Sequence, residues 1–376
     1  MAENGETLVV ITSNSDYLSI ENPSDRDSFD VVDGVEVRRL NCFFSHHRSH
    51  FFRALSYVAF MIRSFAAGLR LPDIDVVVGT SPPLSQALSA MAVAKLRRCP
   101  FIIEVRDLWP DVLFEMGVIR SPLLRRILSV LEVMFYRHAC MVLVNSPGYV
   151  SAILDKGIDR ERIRVIPNGV DPDIFCVDRD NSNRGDEQNG GFIVLYAGAV
   201  GLANNVGLVL NVAERLAMHK DIRFVIVGGG GEFGFIREEI ERRNLENVSL
   251  QNAVPKRDMR KLIEMADVCL VTLMNKALLK LSLPNKMFDY MALGKPTVLA
   301  VEGVAKEVME ASGGGVCTPQ GDFEAMAGAL LKLKREPELR KAMGQAAKEY
   351  VLKNYNRRHQ SRLFAACLTE ASQVRI

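Results

Sequence analysis

At 376 residues, 48% of them hydrophobic and 24% charged, the chain is long for one hydrophobic core and has the composition of a two-domain globular protein. Its 47 basic and 45 acidic side chains leave a net charge of +2, without the basic excess of a general nucleic-acid binder. Seven cysteines spaced 36 residues or more apart, with no C-x-x-C, speak against a disulfide framework and a zinc site, and no run of about 18 uncharged apolar residues marks a membrane span.

The opening residues are acidic and polar and lack a signal-peptide pattern, which predicts a cytoplasmic protein. Residues 1–33 carry eight acidic side chains against Arg26 alone; residues 34–71 carry six arginines against Glu36, with His46, His47 and His50. That asymmetry reads either as a solvated face or as a patch for anionic lipid or a phosphorylated acceptor. Within it, Phe51, Leu55, Val58, Ile62, Phe65 and Leu69 recur at steps of four and three and form one helical stripe. Arg48, Ser56, Arg63, Arg70 and, at the margin, Arg53 fall on the other side. The helix either packs its apolar stripe on its own sheet or rests on a membrane as a basic amphipathic helix.

Short β-branched runs alternate with amphipathic helices along the whole chain. The predicted strands of the first half are Thr7–Thr12, Val35–Leu40, Asp75–Gly79, Phe101–Val105, Met141–Asn145 and Arg164–Ile166. Those of the second half are Phe192–Ala197, Arg223–Val227, Val248–Gln251, Val268–Leu273, Thr297–Val301 and Gly315–Thr318. This alternation predicts α/β architecture, with two Rossmann-like doubly wound domains over residues 1–168 and 169–356. The seam falls at Pro167-Asn168-Gly169, Asp178–Gly191 reads as a polar surface loop, and a last helix runs from about Arg357 to Ser372.

Three segments can carry chemistry. Thr80-Ser81-Pro82-Pro83 and Ile103-Glu-Val-Arg-Asp-Leu-Trp-Pro-Asp111 end neighbouring strands, on the sheet edge where open α/β folds bind ligands. Arg106, Asp107 and Trp109, the one tryptophan, cluster there. The glycines of Tyr196–Asn205 and Val227–Glu232 follow strands; each loop is either a tight turn or a backbone approach to an anion at a helix start. In Ser282–Pro296, Lys286 and Asp289 lie three positions apart on one helix face, as an exposed ion pair or as a phosphate cation beside a ribose carboxylate. Asp73-Ile74-Asp75 matches a metal-holding D-x-D but starts a strand, on the wrong edge of the sheet, and Asp171-Pro172-Asp173 reads as a loop; no metal is expected.

Taken in order, VVVGTSPPLSQAL, FIIEVRDLWPDVL, RIRVIPNGVDPDIF, FIVLYAGAVG, FVIVGGGGE and SLPNKMFDYMALGKPTVLA resemble the family-4 (group 1) glycosyltransferases of the GT-B fold. The resemblance is to the WbuB-like branch, which assembles bacterial surface polysaccharides. It implies an acceptor-side first domain, a donor-side second domain and a last helix, 357–376, crossing back to the first. It implies a nucleotide-sugar site at Gly198, Gly201, Asn204, Asn205, Gly229, Val254, Pro284, Asn285, Lys286 and Asp289, with Lys286 on phosphate and Asp289 on ribose. Arg106 or Asp107 would sit near the sugar, where many relatives place a histidine; Thr80, Ser81 and Trp109 would line the acceptor cleft.

The implied reaction retains anomeric configuration without cofactor or metal, and moves sugar from a nucleotide donor, UDP-linked by expectation, to a lipid-linked or phosphorylated glycan. An anionic membrane surface is a candidate partner, giving peripheral placement on the inner membrane. Departures are Leu281 and Asp289 where relatives often carry two glutamates, and Ala203, Asn204 and Asn205 where many carry an arginine and a lysine. The resemblance also implies that the first domain lacks its first strand and glycine loop. The alternatives are therefore a catalytically impaired partner subunit or a sugar-nucleotide 2-epimerase of the same fold.

Overall fold

The computed structural model describes residues 7–14, 26–42, 50–175 and 191–374. The chain divides into two compact units, residues 1–167 with 361–376, and residues 168–360. The polar stretch 178–190 and Arg48 lie outside the described residues.

The first unit holds two sheets. In one, β1 (Val9–Ser13) runs parallel to β3 (Val35–Leu40), and β2 (Ser28–Val32) pairs antiparallel on the other side of β3. The strand β2 was not expected from the alternation. It is held by the two-residue turn Asp33-Gly34, both at positive φ (51° and 78°), the geometry that a tight hairpin needs. Next come α1 (His50–Leu69), β4 (Val77–Ser81), α2 (Leu84–Arg97), β5 (Phe101–Val105), α3 (Asp111–Glu115), α4 (Pro122–His138), β6 (Met141–Val144), α5 (Tyr149–Leu154) and β7 (Ile163–Val165). Strands β4-β5-β6-β7 form a four-stranded parallel sheet in that order. Among the described residues β1 and β4 each keep one edge without a ladder partner.

Helix α1 departs from the core-packing reading over half of its apolar stripe, while Phe65 and Leu69 are part-buried. Leu55, Val58 and Ile62 are 39%, 44% and 58% exposed, while Ser56, Phe60, Ser64 and Ala67 are buried. Small residues win the inner face because they let two helix axes approach: Ser64 Oγ meets Ser89 Oγ of α2 at 2.9 Å, and Gly68 lies against Val93. Arg63 is drawn off its expected solvated side into a two-oxygen contact with Asp27, at 2.6 and 2.8 Å.

The second unit opens with α6 (Pro172–Phe175) and continues through β8 (Phe192–Ala197), α7 (Val206–Arg215), β9 (Ile222–Val227), α8 (Phe233–Arg242), β10 (Val248–Gln251) and α9 (Lys256–Met265). It is completed by β11 (Val268–Thr272), α10 (Asn285–Ala292), β12 (Thr297–Ala300), α11 (Val304–Ser312), β13 (Gly315–Cys317), α12 (Phe323–Arg335) and α13 (Pro337–Asn354). Its six strands are all parallel in the order β10-β9-β8-β11-β12-β13. Every residue of β11 and β12 is buried, which explains the unbroken apolar runs of their sequences. The last helix, α14 (Arg357–Ser372), places Cys367 and Ala371 in the core of the first unit beside Ile102, Met141 and Leu143.

One buried charge network braces the first unit. Glu132 of α4 is fully buried; its carboxylate takes a hydrogen bond from Tyr136 at 2.8 Å and an ion pair from Lys156. Lys156 also reaches Asp111, at the start of α3, at 2.6 Å. Burial pushes the Glu132 carboxyl up, and Lys156 pulls it back. Lys156→Met should leave Glu132 buried without its cation and cost about 3–5 kcal/mol. Because a protonated Glu132 escapes the cost, the variant's deficit should shrink as pH falls below neutrality. Thermal unfolding of both proteins between pH 5 and 8 (roughly the range of carboxyl recovery) checks this; a pH-independent deficit would refute it.

Candidate functional site

In the second unit the strand order reverses between β8 and β11, since β9 and β10 lie to one side and β12 and β13 to the other. Ligands of open parallel sheets bind at the carboxyl ends of the strands flanking such a reversal. The loop after β8, residues 198–205, occupies that place. Gly198 N–H donates to Val227 O at 2.9 Å, Val200 N–H to Gly229 O at 2.8 Å, and Glu232 N–H to Val200 O at 3.0 Å. The glycine loop after β9 is thus zipped to the loop after β8 by backbone bonds. From the β11 side, Thr272 Oγ1 donates to Asn204 O at 2.6 Å and Met274 N–H to Ala203 O at 2.9 Å.

Into this frame reaches Lys286, from the first turn of α10. Its amine donates to Tyr196 Oη at 2.6 Å and to Asn204 Oδ1 at 3.2 Å, and lies 4.0 Å from the Tyr196 ring centroid. Gly198, at φ +151°, leaves the space that the lysine stem uses; a Cβ there would meet Lys286 Cε at 2.8 Å. Tyr196 O–H donates to Ala199 O at 2.7 Å, and Tyr290 Oη both accepts from Ala197 N–H and donates to Ala197 O. Tyr196, Tyr290 and Thr272 are not among the site residues expected from the sequence. A buried phenol must find a partner, and that requirement was the available signal.

The amine has two neutral oxygen partners and, among the described residues, no carboxylate. Lys286 as a whole is half-buried, with its amine at the inner end; loss of water there lowers its pKa to about 7. Lys286 and Asp289 do not pair with each other, contrary to the ion-pair reading. Asp289 Oδ1 instead lies 3.5 Å from Lys256 of α9, and burial raises its carboxyl while Lys256 pulls it down.

Helix α7 starts at Asn205, in left-handed conformation (φ 48°), with no side chain capping its first N–H groups. Helix α10 follows Pro284, likewise uncapped, with Asn285 exposed. Uncapped N–H groups beside a lysine make an anion site. A Cβ on Gly201 would meet only Asn204 Nδ2, at 4.0 Å; Gly229 and the half-buried Val254 sit in the loops after β9 and β10.

In the first unit, Thr80 and Ser81 end β4, and Arg106, Asp107 and Trp109 follow β5, in register with Ser81 opposite Val105. Arg106 N–H donates to Ser81 O at 2.9 Å, and Asn145 Nδ2 holds Arg106 O at 2.9 Å. Asp107 keeps accessible surface, yet crowding by protein atoms raises its carboxyl to about 6 against the pull of Arg106. Asp73 and Asp75 lie before β4, at the opposite end of this sheet, and both are exposed. Among the described residues no group of three His, Cys, Asp or Glu is placed to hold a metal ion, and no helix is long and apolar enough to cross a membrane.

Two α/β units built mainly on parallel strands, the second with a basic site at its strand reversal, match the architecture of a GT-B glycosyltransferase. The chain matches the glycosyl transferase 4-like domain over residues 1–169 and the glycosyl transferases group 1 family over residues 177–350. It belongs to the group 1 glycosyltransferases. It is 22% identical to WcaI of Escherichia coli (strain K12), a glycosyl transferase assigned to colanic acid biosynthesis, over 77% of this chain and 72% of that one. In fold it is similar to sucrose-phosphate synthase of Thermosynechococcus elongatus, with TM-score 0.77 and 16% identity over 98% of this chain and 90% of that one. It is also similar to Anabaena HepE solved with UDP-glucose, with TM-score 0.70 and 16% identity over 90% and 86% of the two chains.

The depressed lysine has a thermodynamic signature. Between about pH 7 and the unfolded-state value of about 10.4, the unfolded chain binds a proton at this lysine that the folded chain lacks. Stability therefore rises with pH across that window on account of Lys286. Lys286→Met should be more stable than the parent at neutral pH, with the difference closing as pH rises. Urea unfolding of both proteins across that range measures it, and a constant difference would show that the amine is hydrated.

Proposed function

We propose that this glycosyltransferase moves a sugar from a UDP-sugar to a lipid-linked glycan in surface-polysaccharide assembly, with retention of configuration and without a bound metal. The observation that carries the reading is the dehydrated Lys286 amine beside the uncapped start of α7. Breaking the bond to the anomeric carbon leaves negative charge on the β-phosphate of the donor. A cation and fixed N–H dipoles in a site poor in water stabilise that charge where it develops. A diphosphate bound there favours the protonated lysine, so the anion restores the charge that burial had removed.

In this reading Gly198, Gly201, Asn204 and Asn205 border the diphosphate, and Asp289 takes the ribose in exchange for Lys256. Gly229, Val254, Pro284 and Asn285 surround the remainder of the nucleotide. Arg106 and Asp107 serve the transferred sugar, and Thr80, Ser81 and Trp109 the acceptor. The solved complexes of HepE with UDP and with UDP-glucose support the choice of base, and the assignment of WcaI to colanic acid biosynthesis supports the choice of product. Arg106 and Asp107 stand where many relatives carry a histidine, so their chemistry rests on position at the strand end.

Asp289→Ala should weaken UDP binding about ten- to hundredfold, the value of one charge-assisted hydrogen bond, while leaving the melting temperature near that of the parent. Calorimetric titration measures it; unchanged affinity in both Asp289→Ala and Lys286→Met would remove the nucleotide from this site. UDP affinity and sugar transfer should both persist in excess EDTA. Loss of transfer in EDTA, with recovery on adding magnesium or manganese, would require a metal held by other residues.

A further inference from the structure

The tryptophan segment that leads from β5 into α3 is one interlocked body. Trp109 N–H donates to Asp107 O at 2.7 Å, Val112 N–H to Leu108 O at 2.9 Å, and Leu113 N–H to Pro110 O at 2.9 Å. Leu108 is fully buried, while Arg106 and Asp107 beside it are exposed. With the backbone closed on itself in this way, a displacement of Asp111, the first residue of α3, carries Trp109 and Asp107 with it.

The two ends of the segment are gripped by different chemistry. At the sheet end the bonds are neutral, from Arg106 N–H to Ser81 O and from Asn145 Nδ2 to Arg106 O, each at 2.9 Å. At the helix end the grip is ionic. Lys156 stands in the turn that closes α5, where its N–H donates to Ile153 O at 3.1 Å, and its amine reaches Asp111 at 2.6 Å and the buried Glu132 of α4. Tyr136 O–H donates to Glu132 Oε1 at 2.8 Å and leaves Oε2 to the amine, so the carboxylate cannot turn away. Arg125 of α4 holds the far side of α3 through Phe114 O at 3.3 Å and Ile119 O at 2.8 Å. Burial raises the Glu132 carboxyl, Lys156 lowers it, and the nearby Asp111 raises it again, so the two carboxylates oppose each other across one amine. A brace needs no such arrangement, because apolar residues of the same volume often stabilise as well as a buried ion pair. What the charged contacts add is a fixed distance and direction.

We infer that Lys156 is a positioning residue for sugar transfer: through Asp111 it sets where Arg106, Asp107 and Trp109 stand, while Glu132 and Tyr136 aim its amine. The inference rests on the reading that Arg106 and Asp107 serve the transferred sugar. Lys156 acts on those side chains only through the α3 backbone, which makes it no part of the reacting set. Its leverage comes from proximity, since Asp111 is four residues from Asp107 and two from Trp109. Misplacing a reacting group by about 1 Å can cost about a hundredfold in rate.

Trp109 is the one tryptophan of the chain, so its emission and its quenching by acrylamide report this segment directly. Asp111→Asn breaks the outer link and leaves Lys156 paired with Glu132, so the melting temperature should stay near the parent's. Trp109 emission should shift to the red and be quenched more readily. Turnover is measured as UDP released from the fastest-reacting of UDP-glucose, UDP-galactose and UDP-N-acetylglucosamine. Its kcat should fall about ten- to hundredfold with the KM for the donor unchanged. Asp111→Glu keeps the charge and should recover part of both signals. Phe60→Leu weakens the core beside α1 and should move neither Trp109 nor kcat. Parent-like emission or parent-like kcat in Asp111→Asn would overturn the inference, and so would an equal loss of kcat in Phe60→Leu. Arg106→Ala and Asp107→Asn keep the two levels apart. If both turn over like the parent, the reading of the segment itself fails; if they are impaired and Asp111→Asn is not, only the role of Lys156 fails.

Discussion

The second unit is arranged around one unfavourable act, the removal of a lysine amine from water. Lys286 is given a phenol and an amide oxygen in place of hydration and, among the described residues, no carboxylate to settle its charge. Everything near it serves to keep that geometry. Gly198 yields the space for its stem, the loop after β9 locks the loop after β8 by backbone bonds, and Thr272 holds Asn204 from the far side. Tyr290 fixes the end of β8 through both polar groups of Ala197. A carboxylate partner would have made the lysine cheaper to bury and useless to an anion, since its charge would already be spent.

Much of this was legible in the residues. Buried parallel strands leave unbroken β-branched and apolar runs, so β8, β9, β11 and β12 could be placed within a residue or two. The SLPNK segment stood out because a proline, a lysine and a carboxylate at a helix start are poorly explained by packing. What could not be read was whom each charge would meet. Lys286 and Asp289 share a helix face, yet the amine turns inward to β8 and the carboxylate outward to Lys256, a choice made by other elements. The glycines after β9 read either as a tight turn or as a ligand loop, and the sequence did not show that Val227 O and Gly229 O would take bonds from the loop after β8. The hairpin β2–β3 was legible and overlooked, because Asp33-Gly34 is a strong turn pair between two β-rich runs.

Helix α1 shows a different limit. Periodicity reports that a helix is two-sided, and burial is then assigned to the apolar side by default. Here the inner side joins Phe60 to the small residues Ser56, Ser64, Ala67 and Gly68, while Leu55, Val58 and Ile62 of the stripe are left exposed and Phe65 and Leu69 are part-buried. The default fails when close approach to a neighbouring helix is worth more than covering apolar surface.

The two sets of unpaired cations belong to opposite electrostatic regimes. Lys286 is dehydrated, so its attraction for an anion is little screened, and proton concentration governs whether the charge exists at all. Arg126 and Arg137 are exposed and permanently charged; their attraction is felt over a Debye length of about 8 Å and fades with salt. At neutral pH, near its lowered pKa of about 7, the Lys286 amine is only partly protonated, and an anion placed beside it would favour the charged form that burial opposes.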